Sequence, residues 1–168
     1  MEEEFIIREA AKEDIHNLAV LHVRAWNETY NNTSPDPSIA TREWQWQEQF
    51  NSPDKNWFCL VIENKQGELI GFAKGMTFNH PSLPEFDGEL NKIYILKAYH
   101  KSGLGKKLLS RAFKMFKDMG IQSVVLFGDA KNPAGGFHEA MGAKKLFSPD
   151  GGFHGGYGWT NIHQSGLI

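Results

Sequence analysis

The chain has 168 residues, enough for one domain, residues 1–168, with a sizeable buried core. Its 18 Lys and Arg against 20 Asp and Glu leave a net charge of −2, which argues against the strongly basic surface that nucleic-acid binding needs. A lone cysteine, Cys59, excludes an internal disulfide and fits a reducing compartment, and no apolar run reaches membrane-spanning length. Residues 5–8 predict a short first strand. A helix from about Lys12 would bury Ile15, Leu18, Ala19, Val23 and Trp26, leaving His16 and His22 in solvent or at the core edge. Residues 31–37, NNTSPDP, are turn chemistry. Trp44, Trp46 and Phe50 among polar residues predict a shorter helix over 41–50. Apolar segments at 56–63 and 68–78 predict a hairpin turning near Lys65-Gln66-Gly67, and 79–88, with its prolines, predicts a loop.

Residues 89–119 carry the strongest pattern. Leu90, Ile93, Tyr94 and Ile95 predict a strand, His100 to Lys106 a basic glycine loop, and residues 104 onward an amphipathic helix. Leu104, Leu108, Leu109, Ala112, Phe113 and Phe116 share one face of that helix, and Gly120 stands where a glycine terminates it. Glycines at a helix start let backbone N–H groups converge at the positive end of the helix dipole, which is a cradle for phosphate. A P-loop would need Gly at His100 and Ser or Thr at Lys107, and a dinucleotide fingerprint would need Gly at Leu108. Residues 123–127 then predict a strand, residues from Asn132 a helix, and 144–147 with 156–162 a final hairpin around the glycine-rich 150–155.

His100-Lys101-Ser102-Gly103-Leu104-Gly105 resembles the acyl-CoA pyrophosphate loop, Gln/Arg-x-x-Gly-x-Gly/Ala, of the GCN5-related N-acetyltransferase (GNAT) superfamily, with His in first place. Asn132, Ala134, Phe137 and the later Gly142 resemble its second signature, Asn-x-x-Ala-x-x-Phe-Tyr and a glycine, with His138 where Tyr is usual. The resemblance runs from Phe5 to Ile162. Residues 24–30 and Tyr157-Gly158-Trp159 are similar to a bacterial branch of small-amine-acetylating and uncharacterised members. It implies the α/β acyl-CoA N-acyltransferase fold, β-α-α-β-β-β-α-β-α-β-β around a central mixed sheet. In that fold the strands ending near Ile95 and Phe127 splay, and the pantetheine arm of acetyl-CoA lies between them.

The resemblance further implies a cofactor-binding set of Ile93, Tyr94, Ile95, His100, Lys101, Ser102, Gly103, Leu104, Gly105, Lys106, Asn132, Ala134 and Phe137. The reaction expected is transfer of acetyl from acetyl-CoA to a primary amine, by direct attack in a ternary complex. An ammonium must lose its proton first, and Glu89, eleven residues before His100, matches the family's glutamate base acting through water. Glu85 and Asp87 are alternatives. A backbone N–H near Ile95 would face the thioester oxygen. His138 would keep the general-acid role of the usual Tyr or pack against the cofactor, with water or Tyr157 as other donors. Acceptor contacts are expected from Trp26, Tyr30, Asp36 and Tyr157, where carboxylates near aromatic rings suit a cationic amine; plain solvated turns are the competing reading. No metal is expected, since the seven histidines lack ligand spacing. The protein is expected in the cytoplasm, as a monomer or homodimer, with no membrane or nucleic-acid partner. The competing functions are an acyl-CoA-binding sensor that has lost catalysis and, at a greater distance, a nucleotide-binding α/β enzyme.

Overall fold

The computed structural model describes residues 4–30, 38–128 and 134–168. The elements run β1 (Ile6–Glu9), α1 (Ile15–Tyr30), α2 (Ile39–Asn51), β2 (Trp57–Glu63), β3 (Leu69–Thr77), β4 (Gly88–Ile95), α3 (Leu104–Asp118), β5 (Val124–Leu126), α4 (Gly135–Ala140), β6 (Lys144–Phe147) and β7 (Phe153–Trp159), with short 3-10 turns before α1, before α3 and after β7. All seven strands join one sheet in the order β1-β2-β3-β4-β5-β7-β6. Only the β4–β5 pair is parallel, because α3 carries the chain over the sheet between them.

Side chains alternate across the sheet and assign the helices to its two faces. Gly75 of β3 faces α3: a Cβ there would stand 2.3 Å from Phe58 and 2.7 Å from Phe116, whose rings meet edge to face at 5.0 Å. The apolar stripe of α3, Leu104 to Phe116, is buried on this side, and Phe113 meets Trp159 of β7 at 5.1 Å. Phe72, three residues earlier and on the opposite face, meets His22 of α1 at 5.2 Å and Trp46 of α2 at 5.8 Å. Ser38 starts α2 by accepting the Thr41 backbone N–H at 3.2 Å, which satisfies one of the helix's orphan donors.

Two irregularities shape the centre. The β4–β5 ladder runs only through Gly88↔Val124 and Glu89↔Val125, while β4 continues to Ile95. β5 pairs β7 along its whole length, Val124 to Leu126, but meets β4 only at its first two residues, so beyond Glu89 the two parallel strands part and leave a cleft between them. On the other edge of β4 the partners step from Gly75↔Leu90 to Lys74↔Lys92, leaving Asn91 as an extra residue. This β-bulge reverses the face on which the following side chains fall.

The expected element order holds, with differences at the ends. β7 begins at Phe153 and stops at Trp159, and Ile162 lies in a 3-10 turn. A strand is thus made from the glycine-rich segment expected to turn. His22 is core, 2% exposed, and not a surface or core-edge residue. It takes a buried place on α1 beside Leu21 and Ala25, whereas Val23 and Trp26 are only half-buried. Burial of its ring against Phe72 and Trp46 supplies the apolar contact that favours this rotation of the helix.

Candidate functional site

The glycine loop enters α3 without a side-chain cap. Gly103 is the N-cap residue at φ 83°, left-handed, and Lys101 also has positive φ, 61°. Nothing lies within 4 Å of a Cβ built on Gly103, so its backbone angle and not crowding calls for glycine. The first turn of a helix has N–H groups with no intrahelical acceptor, and here no side chain takes one at the cap. Ser102 instead donates its hydroxyl to the Tyr99 carbonyl at 2.5 Å, and His100 donates Nε2–H to the Ile95 carbonyl at 2.6 Å. His100 therefore ties the loop back to the end of β4. Lys101 and Lys106 are exposed beside it, and the Leu104 side chain is buried in the core.

Gly105, on the first turn of α3, brings three elements together. A Cβ on it would stand 3.1 Å from the Phe137 ring and 3.7 Å from Ile95 Cδ1. The end of β4, the start of α3 and the first turn of α4 thus meet at the mouth of the cleft. A compact anion at the uncapped helix start, followed by an extended chain in the cleft, fits this surface. Of the other expected contacts, Ile93 is half-buried against the core. Tyr94 turns its ring to Phe72 at 5.6 Å, on the α1–α2 face. Ala134 precedes α4; Asn132 and Asp36 lie outside the described residues. The interval from Asn132 to Ala134 is one residue shorter than in the signature, so only Ala134, Phe137 and His138 keep its register.

α4 has only six residues, with Gly135 and Gly136 in its first turn. Gly135 makes room for Tyr157, because a Cβ would stand 2.5 Å from the tyrosine hydroxyl. His138 is 6% exposed, meets the Tyr157 ring at 5.3 Å, and has no hydrogen-bond partner for Nδ1. Burial pushes its pKa down to about 4, so the imidazole is neutral near pH 7. The expected imidazolium donor is disfavoured by this environment. Tyr157 is also buried, packed against His138 and Phe153, while on α1 the rings of Trp26 and Tyr30 meet at 4.5 Å, tilted by 49°.

Glu89 is half-buried on β4 at the last rung of the parallel ladder, and Asn91 Nδ2 donates to its Oε2 at 2.8 Å. Asn91 also lines a groove of about 280 Å³ whose walls include His22, Arg42, Trp46, Lys74 and Lys92. Sequence reasoning did not find this groove. The bulge that assembles it leaves no signature in residue type. Among the described residues, no three His, Cys, Asp or Glu side chains are grouped to hold a metal ion, and no helix is long and apolar enough to cross a membrane.

The comparisons decide the family. Residues 20–143 match the acetyltransferase (GNAT) family. The chain belongs to that family. It is 26% identical over 163 residues to the uncharacterised N-acetyltransferase YuaI of Bacillus subtilis, covering 93% of each chain. Its fold is similar to the PaiA N-acetyltransferase of Thermoplasma acidophilum, solved in complex with coenzyme A (TM-score 0.73, 21% identity, 92% of this chain and 98% of that one). A GNAT-family acetyltransferase of Staphylococcus aureus aligns at TM-score 0.75 with 15% identity, over 95% and 99% of the two chains. The GNAT protein described here is thus an acetyl-CoA-dependent N-acetyltransferase.

Proposed function

We propose that this enzyme acetylates a primary amine by direct attack in a ternary complex, with Glu89 as the base. The observation that carries the reading is the cleft beyond Glu89↔Val125, bounded by the uncapped, glycine-started α3. The pyrophosphate of acetyl-CoA would bind the backbone of residues 101 to 106, and its pantetheine arm would run between Ile95 and Phe137. Acetyl-CoA supplies an acyl carbon activated as a thioester. Glu89, held by Asn91, takes a proton from the incoming ammonium through water. The amine nitrogen then forms the new C–N bond as the C–S bond breaks, CoA leaves as its thiolate, and the nitrogen gives up its remaining extra proton to water to leave the neutral amide. His138, neutral at this pH, packs beside the cofactor, and the thiolate departs without an imidazolium donor.

Calorimetry with acetyl-CoA and an assay of thiol release test this together. Gly105→Glu puts a carboxylate against Phe137 at the cradle and is expected to weaken acetyl-CoA binding about 100-fold or more. Glu89→Gln is expected to leave that affinity within about two-fold and to lower kcat about 100-fold. A folded Gly105→Glu protein that binds acetyl-CoA normally would overturn the cofactor site, and an unchanged kcat in Glu89→Gln would remove the base.

A further inference from the structure

The groove beside Glu89 is built for a negative charge. Partners in an antiparallel ladder present their side chains on the same face. The pairs Phe72↔Tyr94, Lys74↔Lys92 and Met76↔Glu89 occupy alternate positions of β3, so all six side chains share the α1–α2 face of the sheet. On β4 this needs the bulge at Asn91: without the extra residue, Glu89 and Lys92 would fall on opposite faces. The result sets a carboxylate and a pair of lysines on one surface, with Asn91 between them and bonded to Glu89.

Two lysines directly opposite each other in a sheet repel. Lys74 is also half-buried, its ammonium 5.7 Å from the centre of the Trp46 ring. Burial, and next Lys92, hold its pKa below the ordinary lysine value, against a smaller opposing pull from Glu89. Arg42 lines the same groove from α2, and among the described residues no Asp or Glu does. His22 adds a donor. Its Nδ1 accepts the Trp46 indole N–H at 3.3 Å, so the neutral ring carries its proton on Nε2, and that buried N–H has no partner. The groove thus gathers Lys74, Lys92 and Arg42 on one surface, with Gln45, Gln49 and Asn91 as its neutral polar lining.

We infer that this groove binds the anionic group of the acceptor, so that the substrate is a small amine bearing a carboxylate or phosphate. The inference rests on the proposed role of the Glu89 cleft and narrows its acceptor. Two residues of strand, about 7 Å, separate Lys74 from the position opposite Glu89, a span on the scale of a small zwitterion with a bridging water. The ammonium end would lie toward Glu89 and the anion toward Lys74 and Lys92.

Matched amines differing by one anionic group test it on the full chain with saturating acetyl-CoA: L-lysine against cadaverine, L-phenylalanine against phenethylamine, and O-phosphoethanolamine against ethanolamine. The anionic member of a pair is expected to have a kcat/KM about ten-fold higher or more. The first two pairs report a carboxylate preference and the third a phosphate preference. Lys74→Met, which keeps the bulk over Trp46, is expected to bring the ratio close to one through KM, and Lys74→Arg to retain most of it. A ratio at or below one in every pair, or a preference unaltered in Lys74→Met, overturns the inference. If no member of the panel is acetylated, melting of the CoA-saturated protein with inorganic phosphate decides. A rise in Tm that is lost in Lys74→Met supports the groove, and no rise, or an equal one in both proteins, overturns it. Failure of wild type to bind acetyl-CoA would refute the proposed function itself, a separate result.

Discussion

Two histidines buried in neutral form should make this protein fragile in mild acid. His22 is 2% exposed and its pKa is pushed down to about 2 by burial, then by Arg42, Lys92 and Lys74; His138, 6% exposed, is pushed down to about 4 by burial. Both titrate near 6.5 in the unfolded chain. As pH falls below that value the unfolded state takes up two protons that the native state does not bind. The stability associated with the neutral rings is complete above the unfolded pKa and declines as pH drops. From pH 7 to pH 5 the loss is about 2 kcal/mol for each histidine and about 4 kcal/mol for the pair. Set against a total of about 5–15 kcal/mol for a domain, this is a large fraction. Urea melts at pH of about 7, 6 and 5 measure it directly, provided the m-value stays constant. His138→Phe keeps an aromatic ring between Phe137 and Tyr157 and removes one titrating group, so about half of the slope should vanish. Equal stability across the range, or a full slope in His138→Phe, would refute the argument that burial keeps these rings neutral.

Two further perturbations report on packing and charge. Gly75→Ala places a Cβ 2.3 Å from Phe58 and 2.7 Å from Phe116, so both rings must shift, and a loss of about 1–3 kcal/mol in urea unfolding is expected; unchanged stability would show that α3 rests on the sheet less closely than described. Arg8 bonds Asp14 through both terminal nitrogens, at 2.8 and 2.9 Å, and Glu63 through Nε at 2.9 Å, so Asp14→Asn should cost about 1 kcal/mol at neutral pH. Arg8 holds the Asp14 carboxyl below its ordinary range, so wild type should lose this increment as pH falls through the carboxylate range, while Asp14→Asn, with nothing to titrate there, should not.

The cofactor side of the fold was legible because it is written in local rules. Gly103 and Gly105 follow from backbone angle and close approach, and the stripe from Leu104 to Phe116 follows from helical period; each needs only near neighbours in sequence. The acceptor side depends on long-range register, which residue types encode poorly. His22 reads as an ordinary helical histidine until Phe72 and Trp46 close around it. Lys74 and Lys92 lie in strands predicted from their apolar neighbours, and regular alternation would set Glu89 and Lys92, three apart, on opposite faces. One extra residue, Asn91, reverses that parity and brings carboxylate and ammonium groups to the same surface. Charge at this site is therefore a property of strand pairing, not of composition. The expectation of a cationic acceptor came from Asp36, which lies outside the described residues, beside aromatic rings. A half-buried cation such as Lys74, set opposite Lys92 on the sheet, weighs more, because the surroundings that strip its water also strengthen its pull on an incoming anion. The register places that pull beside the proposed base, so under the proposed function the bulge that sets Lys92 on the same face as Glu89 would also select the charge of the acceptor.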